Sequence, residues 1–251
     1  MASRPTPDSV FATIAKAKPT LYCGVPTLYA ALVAQMDDKT DGLENLRCAI
    51  SACEALPAEI GKKWHQLTGV DILDGVGSTE MLHIFLSNGP NDVVYGTSGV
   101  AVPGYALRLV NEHGDEVANG EVGELFVNGA SAASGYWNQR EKSRATFEGN
   151  WTRTGDKYER RDDGRYVYCG RTDDMFKVSG IWVSPFEVEQ AVSAHASVLE
   201  AAVVAHQDSD GLEKPKAFVV LQEGANADGL AEDLKEHVKH CLLYTSPSPR
   251  D

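Results

Sequence analysis

Apolar positions fall into three textures along this chain. In the first, short apolar runs alternate with stretches at helical spacing. Val10, Phe11 and Ile14 share one face of a helix over Asp8–Ala17, with Asp8 or Ser9 near its start. Thr20–Val25 reads as a short apolar strand ended by Pro26. Thr27–Met36 reads as a helix with Leu28, Leu32 and Val33 turned inward. Leu46–Ser51 is apolar and short, hence a buried strand. Leu56-Pro57-Ala58-Glu59 opens a helix carrying Trp64 and Leu67, and Asp71–Leu73 is the next strand. Strand, helix, strand in this rhythm predicts βαβ units and a parallel sheet.

From about Gly96 the pattern changes to alternation. Tyr105–Val110 and Val122–Val127 alternate apolar and polar residues, joined by the turn-rich Asn111–Asp115. Asp163-Gly164 sits between Lys157–Arg161 and Arg165–Cys169, a hairpin signal. This part is expected to form an antiparallel, barrel-like subdomain. The third texture begins after Asp174. Ser184 can cap a helix, Pro185 suits its first position and Glu187 completes a capping box, so a helix should run to about His195. Leu199–His206 and Ala217–Leu221 are apolar strands and Leu230–His240 a last helix, together a small α+β body. The tail Leu243–Asp251 fits nothing before it and reads as foreign sequence.

Charge narrows the function classes. The chain has 23 basic and 36 acidic residues, a net charge of −13 and a pI of about 5.0. A nucleic-acid surface needs a basic face, and anionic membranes need the same, so neither partner is expected. No apolar run approaches the ~20 residues of a span, and the first residues lack the apolar core of a secretory signal. A cytoplasmic location is expected. Cys23, Cys48, Cys53, Cys169 and Cys241 are odd in number and lack C-x-x-C spacing, which suggests neither a disulfide framework nor a zinc site.

Three polar segments could carry chemistry. Asp74-Gly75-Val76-Gly77-Ser78-Thr79-Glu80 follows a strand. Its small residues let backbone approach a ligand, its hydroxyls can donate to a phosphate, and its carboxylate can hold magnesium. It can equally be a Gly-rich strand-to-helix turn with a capping Ser or Thr. In Thr154-Gly155-Asp156, a carboxylate in a loop at a sheet end could accept two hydrogen bonds from adjacent ribose hydroxyls. The run Gly170–Gly180 gathers Arg171, Asp173, Asp174 and Lys177. It could bind a polar ligand or act as a hinge, or it could be a surface turn in which Arg171 pairs Asp173 or Asp174.

In this order the segments resemble the adenylate-forming superfamily of acyl-CoA synthetases, luciferases and peptide-synthetase adenylation domains, from about Arg4 to about Leu242. The wording Asp74-Gly75-Val76-Gly77-Ser78-Thr79-Glu80-Met81-Leu82-His83 is closest to the benzoate-CoA ligases. The resemblance implies an α/β fold. Residues 1–172 would be the C-terminal half of the large AMP-binding domain, with βαβ layers and a β-barrel-like subdomain. Residues 173–242 would be a truncated, mobile, small α+β domain hinged at Asp173. It implies that Thr79 contacts the α-phosphate, that Glu80 helps bind magnesium and that Asp74 reads the adenine amine. Asp156 would hold the ribose, and Arg171 would donate to the ribose and phosphate region. Ser51-Ala52-Cys53-Glu54-Ala55-Leu56-Pro57 resembles a segment whose backbone approaches adenine and the aryl ring, with Cys53 where relatives have Gly. Ala52, Gly75, Gly77 and His83 are thus candidates for the acyl pocket. Lys177 and Gly180 would swing toward the site for thioester formation, Gly180 passing the pantetheine arm. Val76 stands where many relatives have a Tyr on adenine. Gly123–Gly129 and Gly135-Tyr136-Trp137 resemble further signatures and read as strand, turn and packing aromatics.

The implied function is an ATP-dependent, AMP-forming aryl-carboxylate–CoA ligase using ATP, magnesium and coenzyme A. Rival readings are another acyl-CoA synthetase or adenylation enzyme of the same fold, and a truncated, non-catalytic nucleotide-binding paralogue. A dinucleotide-dependent dehydrogenase is disfavoured, since no G-x-G-x-x-G follows a strand. Oligomeric state stays open, a dimer included. The superfamily's Ser/Thr/Gly-rich Pro-Lys phosphate loop and its C-terminal adenylation lysine have no counterpart in the 251 residues, and Lys214-Pro215-Lys216 does not replace the latter. The 251-residue chain is therefore expected to be an inactive fragment.

Overall fold

The computed structural model describes residues 5–36, 41–178, 181–207, 212–222 and 224–242. It divides into two compact units, one of Met1–Thr154 with Tyr158–Tyr168 and one of Gly155–Lys157 with Cys169–Asp251.

In the first unit, helix α1 (Pro7–Ala17) buries Phe11 and Ile14. Its cap is Thr6, two residues before Asp8 and three before Ser9. Thr6 Oγ1 accepts from the Ser9 amide at 3.4 Å and Ser9 Oγ accepts from the Thr6 amide at 2.9 Å, a reciprocal box. Strand β1 (Leu21–Gly24) gives way at Pro26, which opens helix α2 (Pro26–Ala34) at the position where its missing N–H is harmless. Strand β2 (Cys48–Ser51) follows, then helix α3 (Ala58–Thr68), closed by Gly69 at φ +71°. Trp64 of α3 is fully buried against Tyr29, ring to ring at 5.0 Å and edge on. Leu67 is 40% exposed and does not join that core.

Strand β3 (Ile72–Gly77) is longer than expected. It takes in Asp74-Gly75-Val76-Gly77 and returns through β4 (Ile84–Ser87) to the short β5 (Val100–Ala101). The sheet order is β1-β2-β3-β4-β5; β1–β2–β3 pair in parallel, as the βαβ rhythm requires, and β3–β4–β5 antiparallel. The Gly-rich segment is therefore one arm of a hairpin, not the start of a helix.

The antiparallel subdomain contains β6 (Ala106–Val110), β7 (Val122–Asn128), helix α4 (Arg140–Thr146), β8 (Phe147–Glu148), β9 (Trp151–Arg160) and β10 (Tyr166–Arg171). Its sheet runs β10-β9-β7-β6, with β8 paired to β9. The Asp163-Gly164 turn closes as expected, with Arg161 N–H donating to Arg165 O at 2.8 Å. Met81, Phe85, Leu125, Val127 and Tyr158 fill this core. Short α4 and β8 had no signal in the apolar pattern.

In the second unit, β11 (Phe176–Val178) and β12 (Ile181–Val183) form an antiparallel hairpin. Helix α5 (Pro185–Ser193) starts as expected: Ser184 Oγ accepts from the Glu187 amide at 3.3 Å and donates to Cys169 O. Strands β13 (Val198–Gln207) and β14 (Glu213–Leu221) pair antiparallel, and α6 (Leu230–Cys241) completes the unit. Strand β14 begins earlier than the apolar run, so Lys214-Pro215-Lys216 lies inside it and not before it. A two-stranded sheet has only edges, which is where a strand proline is tolerated. Phe176, Val183, Val188, Val192, Val198 and Val203 make the core. The segment Leu243–Asp251 lies outside the described residues.

Candidate functional site

The parallel pairing of β2 with β3 sets Ser51 opposite Asp74, so the Ala52-Cys53 segment leaves the sheet beside the Asp74 position. Ala52 is half-buried and Cys53 exposed. Cys53 has φ +84°, in the left-handed region that favours glycine.

Asp74 is 6% exposed, and its Oδ1 has no hydrogen-bond partner among the described residues. Burial pushes its carboxyl up to about 7, against hydrogen bonds from the Leu56 backbone, the Ser51 side chain and the Gly75 backbone that pull it down. A buried acceptor without a donor is expensive, so such a group is where water or a ligand can supply one.

Gly75 pairs with Ser87 and Gly77 with Ile84 across the β3–β4 hairpin. A Cβ on Gly77 would lie 2.6 Å from His83 O and 2.9 Å from Ile84 Cα, so only glycine lets the strands approach this closely. The connecting turn carries exposed Thr79, half-buried Glu80 and exposed His83. Burial pushes the Glu80 carboxyl up. Hydrogen bonds from the Tyr136 hydroxyl, its own backbone and Ser78, with the charge of Lys142, outweigh this and hold it below the ordinary glutamate value. The Tyr136 hydroxyl donates to Glu80 Oε1 at 2.5 Å.

His83 is equally restrained. Its Nδ1 lies 2.8 Å from Ile84 O, and because a carbonyl only accepts, that nitrogen carries a hydrogen. Its Nε2 meets the Tyr105 hydroxyl at 2.9 Å; Tyr105 in turn meets Ser131 Oγ at 2.7 Å. Thus Tyr136, Tyr105 and Ser131 belong to the site, although nothing in local spacing marks them. The expectation that Tyr136 and Trp137 merely pack is corrected: Tyr136 holds a carboxylate, and Trp137 is 94% exposed. Gly123–Gly129 does read as structure, with Glu124 gripped by Arg153 at 3.1 and 2.6 Å.

Glu80 suits magnesium as one anionic oxygen ligand. Among the described residues no group of three or more His, Cys, Asp or Glu is arranged for a metal. One carboxylate, completed by phosphate oxygens and water, is the usual magnesium arrangement around nucleotides.

Of the other candidates, Asp156, Arg171, Asp173 and Lys177 belong to the second unit. Thr154-Gly155-Asp156 lies within β9, not in a loop at a sheet end. Gly155 at φ +76° breaks the strand's regularity there, and a Cβ would sit 3.0 Å from Arg171 Nη2. Arg171, the last residue of β10, pairs with Asp156 at 3.1 Å and not with Asp173 or Asp174. The two residues assigned to the ribose region thus hold each other. Asp173 is exposed in the turn after β10. The Lys177 backbone pairs with Trp182 in the β11–β12 hairpin, and Gly180 lies outside the described residues.

Comparison with known proteins shows the family and the fold. Residues 1–137 match the family described as AMP-binding enzyme, and residues 187–244 match the AMP-binding enzyme C-terminal domain. The 4-hydroxybenzoate–CoA/benzoate–CoA ligase of Rhodopseudomonas palustris is 60% identical over 242 residues, covering 95% of this chain and 45% of that protein. A benzoate CoA ligase from Burkholderia xenovorans LB400 superposes with a TM-score of 0.89 at 52% identity, over 96% of this chain and 49% of that one. An anthranilate CoA ligase solved with anthranoyl-AMP gives 0.88 at 45% identity, over 96% and 47%. The chain spans about half the length of the relatives it matches. The α/β fold is that of the adenylate-forming enzymes. With a family match across most of its first unit and a second across most of its last, the chain belongs to the AMP-binding enzyme family.

Proposed function

We propose that this chain carries the AMP- and aryl-binding part of an ATP-dependent aryl-carboxylate–CoA ligase. The observation that carries the reading is Asp74: a buried carboxyl with an unpartnered oxygen, where the parallel pairing of β3 with β2 ends, which supports a role in accepting from the adenine amine. In the first half-reaction a carboxylate oxygen of the acid attacks the α-phosphorus of ATP, and pyrophosphate leaves with the electrons of the broken P–O bond. In the second, the CoA thiolate attacks the acyl carbon and AMP leaves. Thr79 donates to the α-phosphate, Asp156 accepts from the ribose hydroxyls and Arg171 gives up part of its pairing with Asp156 to reach the same region. Ala52, Gly75, Gly77 and His83 border the aryl ring. When bound, magnesium at Glu80 would supply charge neutralisation for the phosphates. Such a site works by positioning and by fixed charge.

Asp173 serves as the pivot between the two half-reactions, and the Lys177–Gly180 segment moves with the small domain toward the acyl carbon. The resemblance around residues 170–180 supports this reading. A cytoplasmic setting fits substrates such as ATP and CoA. Among the described residues no helix is long and apolar enough to cross a membrane.

Calorimetry with benzoyl-AMP and its inosine analogue tests the reading. The adenine compound should bind, and the analogue, lacking the amine, should bind about 10–100-fold more weakly, the range for a hydrogen bond to a charged group. Equal affinity for both would remove Asp74 from the role. No binding of either would remove the ligase reading and the nucleotide-binding paralogue together.

A further inference from the structure

The segment between β7 and α4 touches the Ser78–His83 turn at successive points. Ser131 Oγ donates to Met81 O at 2.7 Å, and the Ala133 amide donates to Glu80 O at 2.7 Å. Tyr136 then closes on the Glu80 carboxylate. Ser131 also meets Tyr105, whose hydroxyl reaches His83. Tyr136 is itself fixed from behind. Its amide donates to Ser143 Oγ of α4 at 2.9 Å, the Lys142 ammonium lies 4.4 Å from its ring centre, and Phe147 packs at 5.6 Å.

We propose that Gly129–Tyr136 is a clamp in which Tyr136 is a positioning residue for Glu80, and Ser131, through Tyr105, a positioning residue for His83. A simple packing loop would require contact with the turn, but not two hydrogen bonds to one residue. Here Glu80 is gripped by backbone and by carboxylate, so its side chain is aimed before a ligand arrives. Orientation by an outer partner is how metal-binding carboxylates are kept competent. The clamp links the carboxylate proposed for magnesium and the imidazole proposed for the aryl pocket through one segment. Its consequence for ligands rests on the function proposed above; the clamp itself does not.

The test uses Tyr136→Phe, Ser131→Ala and Tyr105→Phe, with ATP titrated in the presence and absence of Mg2+. Tyr136→Phe should reduce the gain in ATP affinity that Mg2+ provides by about tenfold, at the low end for outer-partner losses, and leave metal-free ATP affinity nearly unchanged. An unchanged Mg2+ gain, or an equal loss with and without Mg2+, overturns the positioning role. Ser131→Ala and Tyr105→Phe should shift the His83 Nε2 resonance in nitrogen NMR; an unmoved resonance overturns that arm. Amide exchange at Ala133 should accelerate in Tyr136→Phe relative to Leu125 in the same unit. If wild type binds neither ATP nor benzoyl-AMP, the function reading fails, and the Ala133 and His83 signals still decide the clamp.

Discussion

Asp74 and Glu80 stand on one hairpin, and the fold treats their carboxyl groups oppositely. Asp74 sits inside the strand, where burial lifts it to about 7 and leaves one oxygen without a donor. Glu80 sits in the turn, where burial is outweighed by Tyr136, backbone, Ser78 and Lys142, and the group is held below its ordinary value. The difference lies first in depth: both carboxyls receive hydrogen bonds, but Asp74 is buried and Glu80 only half-buried beside the charge of Lys142. A buried carboxyl with one oxygen still unpartnered is suited to receive a donor from a ligand. A carboxylate already held as an anion is suited to meet a cation. Environments that split the behaviour of two like groups are a mark of functional sites.

Removing the charge at Glu80 should break the comparison most severely. Glu80→Gln keeps the shape and can still accept from Tyr136, but it lacks the anion. The Mg2+-dependent gain in ATP affinity should fall by about 100-fold or more, beyond the usual loss for an outer partner. Calorimetric Mg2+ titration at fixed ATP checks this. A gain preserved in Glu80→Gln would place the metal elsewhere.

Asp74→Asn should act on stability with a definite sign. The folded group titrates near 7 against an ordinary 3.8, so the folded state retains a proton that the unfolded state has lost between those values. Stability contributed at Asp74 is thus present below 3.8 and lost as pH rises through about 7. The full shift corresponds to about 4 kcal/mol as an upper figure. Between pH 5 and 8, wild type should lose about 2 kcal/mol more than Asp74→Asn, measured by urea unfolding. Parallel pH profiles for the two proteins would show that Asp74 is solvated after all.

These partners differ in how far the sequence reveals them. Asp74, Gly75, Gly77, Thr79, Glu80 and His83 are consecutive enough to be read as a motif, and the βαβ rhythm places them just after a strand, although Asp74–Gly77 belong to the strand itself. The groups that tune them are remote. Tyr136 lies 56 positions from Glu80, and Tyr105 lies 22 from His83, so no local spacing announces either. The same holds for the fold. Helices α1, α3, α5 and α6 have apolar faces and start signals that survive in sequence. Short α4, β8 and β11–β12 exist through tertiary contacts and leave no period to read. Asp156 was legible as a residue and not as a place, because Gly155 lets a strand carry what looks like a loop tripeptide. Its pairing with Arg171 needed the register of the strands.

The smallest effect sharpens the comparison by leaving both carboxyls untouched. Cys53 holds φ +84°, a region costing a non-glycine residue about 1–2 kcal/mol, and it is exposed, so little packing is lost on its removal. Glycine removes that strain but loses more chain freedom on folding, about 0.5–1 kcal/mol. Cys53→Gly should therefore raise stability by about 0.5–1 kcal/mol, read as a higher urea midpoint at unchanged slope. Leu56, whose backbone touches Asp74, lies farther along the same segment. If strain at Cys53 is local, the pH dependence set by Asp74 stays as in wild type. If Cys53→Gly flattens that dependence, the segment moves as a unit and sets how deeply Asp74 is buried. A fall in stability would show instead that the thiol makes contacts worth more than the strain, and the left-handed backbone would then be a consequence of those contacts.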